Sequence, residues 1–190
     1  IPGIRHEVIT DAAIQAVEER FDAMYVMDID SYDNVNTLVT SSLTQVDDVS
    51  NTVASFLNRN LDSSFAAAYY PDVILSDEQT STNVRVPPSV AVLGALALND
   101  SVAFPWFAPA GFTRGALDTV TEAAVKLNKD NLDDLYEAKV NPIIAFSGQQ
   151  GPVVWGQKTL QQRATSLDRV NVRRLLIDLR RQVKTVGNSF

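Results

Sequence analysis

Apolar residues recur along this chain in two rhythms, one close to the helical period and one of short uninterrupted runs. Ile14, Val17 and Phe21 fall on one face of a segment opened by Thr10 or Asp11, with Glu18, Glu19 and Arg20 largely outside. That spacing predicts a helix to about residue 21. Residues 24–29 (MYVMDI) form a short apolar run with a β-branched residue, the mark of a buried strand. A helix followed at once by a buried strand points to αβ units and a parallel sheet. After a turn-rich stretch at 30–36, residues 43–57 predict a second helix. Its stripe is Val46, Val49, Val53, Phe56 and Leu57, with Asp47, Asp48 and Asn51 toward solvent. Residues 65–70 predict the next buried strand, stopped by Pro71 and continued after a kink by 73–75. The polar stretch 76–83 reads as an exposed loop.

Pro87-Pro88-Ser89 opens a helix through residue 98, since proline suits a first turn whose N–H groups have no partner. This helix is apolar almost all round and is expected to be buried on more than one side. Residues 104–111 are too rich in proline and aromatics to be regular. Residues 117–127 predict a helix, and Asn131 caps another through residue 138. Residues 143–146 and 153–155 read as a hairpin around 147–151. The last helix begins between 168 and 172 and ends near 184. Val172, Leu175, Leu176, Leu179 and Val183 are its core stripe, and Arg169, Arg173, Arg180 and Lys184 form a second stripe about a quarter-turn away. The whole is an α/β fold in one domain, residues 1–190. It has a central, mostly parallel or mixed sheet flanked by helices, then a C-terminal hairpin and a basic helix.

Charge sharpens that last element. The chain carries a formal net charge of −7, which argues against a nucleic-acid coat. Between residues 163 and 184, seven bases stand against two acids, a surplus of five positive charges, so the remainder carries −12. Such a helix docks on an acidic partner, or pairs its arginines with acidic neighbours within or between copies. No apolar run approaches the roughly 18–20 residues that a membrane helix needs. The absence of cysteine excludes a thiolate nucleophile or metal site.

Candidate chemistry is sparse. Gly151 to Thr159 (GPVVWGQKT) nearly spells the phosphate loop G-x-x-x-x-G-K-[ST]. A glutamine shifts the lysine out of register, a proline removes a cradling N–H, and Val-Val-Trp reads as a strand with Trp155 in the core. Asp28, Asp30 and Asp33 miss the calcium-loop pattern, with Tyr32 at position five and Asp33 where glycine belongs. Asp28 remains the residue to watch for an alternative, a small α/β enzyme or ligand-binding module with a site at the strand ends. His6 is the single histidine, read as a surface or capping residue. Phe104 and Trp106, with Pro105 and Pro109, form a rigid aromatic corner that is either a core plug or a contact between subunits.

Seven phrases occur in order: AYYPD (68–72), VPPS (86–89), ND (99–100), WFAPAG (106–111), LYEAKVNPI (135–143), VVWGQKTL (153–160) and DRVNVRRL (168–175). Together with the N-terminal AVEER and the run from Asp22 to Asp28, the chain resembles the tail sheath proteins of contractile bacteriophages. The resemblance implies a non-enzymatic structural subunit, without cofactor, that stacks in sixfold rings as a helical sleeve around a tail tube. Contraction of the sleeve would drive the tube through the host envelope. The implied partners are further copies of itself, the tube protein, and baseplate and tail terminator proteins, with no nucleic acid and no membrane. The implied location is the virion tail, assembled in the host cytoplasm. It also implies that the basic helix grips the tube, through Arg169, Arg173, Arg180, Arg181 and Lys184. Sheath subunits are linked by N-terminal and C-terminal arms that this chain is expected to lack, both ends reading as cuts in a larger protein. The fragment is therefore expected to be monomeric or weakly associating.

Overall fold

A computed structural model describes residues 2–40, 42–77, 79–146, 148 and 151–188. In chain order the elements are α1 (Glu7–Arg20), β1 (Tyr25–Asp28), α2 (Val49–Leu57), β2 (Ala66–Tyr70), β3 (Val73–Asp77), β4 (Thr82–Val86) and α3 (Pro88–Val102). They continue with α4 (Gly111–Arg114), β5 (Glu122–Ala123), α5 (Lys129–Glu137), β6 (Val140–Ile144), β7 (Val153–Val154) and α6 (Val170–Gly187).

Among the described residues the main sheet runs β1-β2-β6-β7, parallel through β6, with β7 antiparallel at the edge. The pleat alternates side chains between two cores. Tyr25, Met27, Ala66, Ala68, Tyr70 and Val140 meet α1, α2 and α5 on one face. Ala67, Tyr69, Ile143 and Val154 meet α3 and the first turn of α6 on the other. A strand buried on both faces has no polar side to show, which is why β2 reads as an unbroken apolar run. The mixed α/β expectation therefore holds, including the parallel pairs and the β6–β7 pairing. Most of the turn expected between those two strands, at 147, 149 and 150, lies outside the described residues.

Several local expectations are corrected. Residues 73–75 do not extend β2. They open β3 in a separate antiparallel sheet of order β4-β3-β5, and much of the expected loop at 76–83 belongs to this hairpin. Residues 117–127 are not helical; they hold β5 against Val73 and Ile74. The second helix starts six residues late because Asp48 caps it, accepting from the Asn51 N–H at 2.8 Å. Val46 is consequently exposed, while Asp47, expected in solvent, is buried. Finally, α3 does not lie buried on several sides, since Leu93 and Leu98 are exposed.

Candidate functional site

The phrases quoted above turn out to be joints. AYYPD carries β2 through a cis Tyr70–Pro71 bond to Asp72. Asp72 and Asp47 bracket Arg85 of β4, whose Nε donates to Asp72 at 2.9 Å and whose Nη2 donates to Asp47 at 2.8 Å. All three are buried, and Arg5 adds a second cation to Asp72. Asn141 of the VNPI phrase is a second joint. Its amide donates to the carbonyls of Ala68 and Lys158 at 3.0 and 2.8 Å and accepts from the Lys158 N–H at 2.6 Å. This hub stitches β2, β6 and the WGQK segment together. Gly156 is obligatory beside it, because a Cβ there would stand 2.7 Å from Asn141 Oδ1. The phosphate-loop resemblance thus has a structural basis, with the Lys158 N–H already committed. Trp155, however, is not in the core; it is exposed and clusters with Phe112 and Phe146 at ring distances of 5.3 and 4.8 Å.

Asp28 is equally committed. Its carboxylate is buried and accepts from the N–H of Gly3 at 2.9 Å, and from the N–H and hydroxyl of Ser89 at 2.8 and 2.6 Å. It holds the start of α3 and the N-terminal segment, so the strand-end site of the alternative reading loses its acid. Asp33 accepts from the N–H groups of Val35 and Thr37, an Asx turn, and burial pushes the Asp30 carboxyl up.

The basic helix departs most from expectation. Residues advance about 100° each along α6, so its sides can be compared directly. The body-facing side carries Val170, Arg173, Arg174, Ile177 and Asp178. Arg173 is withdrawn from the exposed set: it is only 8 % exposed, lies 3.9 Å over the Phe65 ring, and donates to Ser64. Arg174 pairs with Asp100 at 2.5 Å. The expected core stripe lies on the opposite side. Of that stripe Val172 and Leu175 are half-buried, whereas Leu176, Leu179 and Val183 are 41, 44 and 70 % exposed, and Val186 continues the seam at 60 %. Helix α6 thus sits on the body through charge and cation–π contacts and turns its apolar seam outward.

Of the remaining cations, Arg169 pairs with Asp168 at 3.2 Å and Arg181 with Asp178 at 2.7 Å. Arg180 lies 5.0 Å from the Phe21 ring. Lys184 is exposed near Asp22. The Asp22 carboxyl is held below its usual range first by a hydrogen bond from Arg20, with Lys184 adding a smaller pull. Phe104 stacks on Trp106 at 4.7 Å and 6°, with Phe107 6.0 Å beyond; Phe104 is exposed, so the core-plug reading does not describe it. The aromatic corner was legible in the sequence, but its exposure and that of the α6 seam were not, since apolar periodicity marks a face without saying what covers it.

Residues 7–160 match the family model of the phage tail sheath protein central domain. The chain belongs to the tail sheath protein family. It is 40 % identical over 107 residues to the tail sheath protein of Vibrio phage KVP40 and 33 % identical over 118 residues to that of Enterobacteria phage T4. Those alignments cover 56 and 62 % of this chain but 16 and 18 % of the relatives, so the chain spans under a fifth of their length. Its fold matches the anti-feeding prophage helical sheath in the contracted state, with a TM-score of 0.65, 22 % identity, and 97 % of this chain and 44 % of that one covered. It also matches the PVC sheath complex of an extracellular contractile injection system in the contracted state, with a TM-score of 0.62, 25 % identity, and 86 and 40 % covered.

Proposed function

We propose that residues 1–190 act as the core domain of a contractile tail sheath subunit, a non-enzymatic structural protein of a virion tail. The subunit polymerises around a tail tube and contracts to drive the tube through the host envelope. The observation that carries this reading is the family match across residues 7–160, joined to a fold shared with two contracted sheaths. The built-in acids support it, because Asp28, Asp47 and Asp72 all serve as joints.

The tube-facing surface we assign to the outward side of α6, an apolar seam flanked by the cations Arg169 and Arg180; Lys184 stands further round toward the body and Arg181 on the body-facing side, where it pairs with Asp178, and Arg173 is left out because it is buried. The contact is an apolar seam rimmed by charge. Salt should weaken the grip without abolishing it, because screening acts on exposed pairs and spares apolar burial. Phe104 and Trp106 are assigned to a contact between neighbouring copies, and the 190-residue chain alone should be monomeric or weakly associating. Baseplate and tail terminator proteins complete the partner set, with no nucleic acid and no membrane.

Negative-stain electron microscopy of the full-length protein, alone and with its tube protein, tests the assignment. Striated tubes whose hold on the inner tube weakens when Arg180 is changed to Glu support both parts. Dispersed particles under every condition would overturn the sheath reading.

A further inference from the structure

Besides α6, the chain carries a cleft of about 590 Å3 where α5, the WGQK segment and Arg169 meet. Its wall is cationic on an acidic chain, with Lys129, Lys158 and Arg169 against the single carboxylate of Asp133. Lys158 is 7 % exposed, yet it takes part in none of the ion pairs among the described residues. Its ammonium rests 3.3 Å from the centroid of the Tyr136 ring. A backbone bridge sets Lys158 against Arg169, whose ion pair is with its own chain neighbour, Asp168. Burying the Lys158 ammonium without a carboxylate of its own, beside a half-exposed Arg169, is unfavourable. The consequences reach the titrating groups: burial pushes the Lys158 ammonium down, and a hydrogen bond and charge from Lys158 pull the exposed Tyr136 phenol down. An anion seated here would relieve both.

Two further features describe what carries that anion. Gln157 Oε1, at the cleft wall, is buried and accepts no hydrogen bond, so a donor that reached it would be favoured. The exposed indole of Trp155 provides an apolar wall. A carboxylate, an adjacent N–H and an apolar neighbour are together the signature of an extended acidic peptide. The chain's own surface is rich in such material, with 23 acids against 16 bases.

We infer that this cleft captures an acidic, extended segment of a second copy of the protein, its carboxylate set between Lys158, Arg169 and Tyr136. The inference rests on the reading that the protein polymerises as a sheath; the cleft lies beside the start of α6 and shares only Arg169 with the tube-facing surface.

Cross-linking tests it. Residues 1–190 hold no cysteine, so Lys129→Cys in the full-length protein, with any cysteine outside these residues replaced by Ser, places one photoreactive label at the rim. Irradiating tubes and free subunits, then mapping adducts by mass spectrometry, should give an intermolecular adduct in tubes alone, on a peptide containing Asp or Glu. Arg169→Gln, at a half-exposed side chain whose backbone bridge to Lys158 is kept, and Lys158→Met should each lower that yield roughly tenfold. Adducts confined to the labelled chain, adducts on peptides without an acid, or tubes with no adduct would overturn the inference while leaving the sheath reading intact. If the unmodified protein forms no tubes, the sheath reading falls and the inference falls with it.

Discussion

Two groups of arginines in this molecule do opposite things. Arg85 is enclosed by Asp47 and Asp72, with side-chain exposures of 2, 0 and 3 %. Arg180 and Arg181 stand on the last turns of α6, where every described residue from Leu179 onward is exposed. The same guanidinium is a rivet in one place and an accessible charge in the other. The difference lies in how much water each pair gave up. A buried pair whose partner is removed leaves an uncompensated charge, whereas an exposed pair loses little.

The largest expected effect breaks the rivet. Arg85→Met keeps most of the stem but leaves buried Asp47 without a cation and Asp72 with Arg5 alone, and should cost about 3–5 kcal/mol in denaturant unfolding. A loss below about 1 kcal/mol would put Arg85 in the exposed class.

Alkaline pH comes next. Burial raises the phenols of Tyr69 and Tyr70 far above their ordinary value of about 10. A group whose folded pKa is raised contributes stability that is fully present below its unfolded pKa and is lost as pH rises beyond it. Stability should therefore fall above about pH 10, by about 1.4 kcal/mol per pH unit for each tyrosine. Unfolding curves at pH 9, 10 and 11 check this.

A smaller effect is expected at the Asn141 hub. Gly156→Ala forces a methyl to within 2.7 Å of Asn141 Oδ1 and should cost about 1–3 kcal/mol, lowering the melting temperature. The smallest belongs to α6. Arg180→Glu should shift unfolding by no more than about 0.5 kcal/mol. The same change should nonetheless weaken tube binding in co-sedimentation.

Legibility followed the same divide. The buried strands, their parallel pairing and the helices over them could be read from apolar runs and periods, because both faces of β2 are covered. The β3–β4 hairpin was missed because its outer positions, Thr82 to Val84, are exposed and its turn is plain polar sequence. Asp47 and Arg173 were placed in solvent because a charge in sequence does not announce a buried partner. The outward turn of the α6 seam was hidden for a related reason: an amphipathic period fixes which residues share a side, while orientation is decided by what Arg173, Arg174 and Arg180 find on the body, namely Phe65, Asp100 and Phe21.

The most direct test is a reconstruction of the full-length protein assembled on its tube. The outward side of α6 should lie on the tube, with Leu179, Val183 and Val186 in apolar contact and Arg169 and Arg180 against acidic groups. A sheath in which that seam is sealed against other parts of the same subunit, with these cations facing away from the tube, would contradict the assignment.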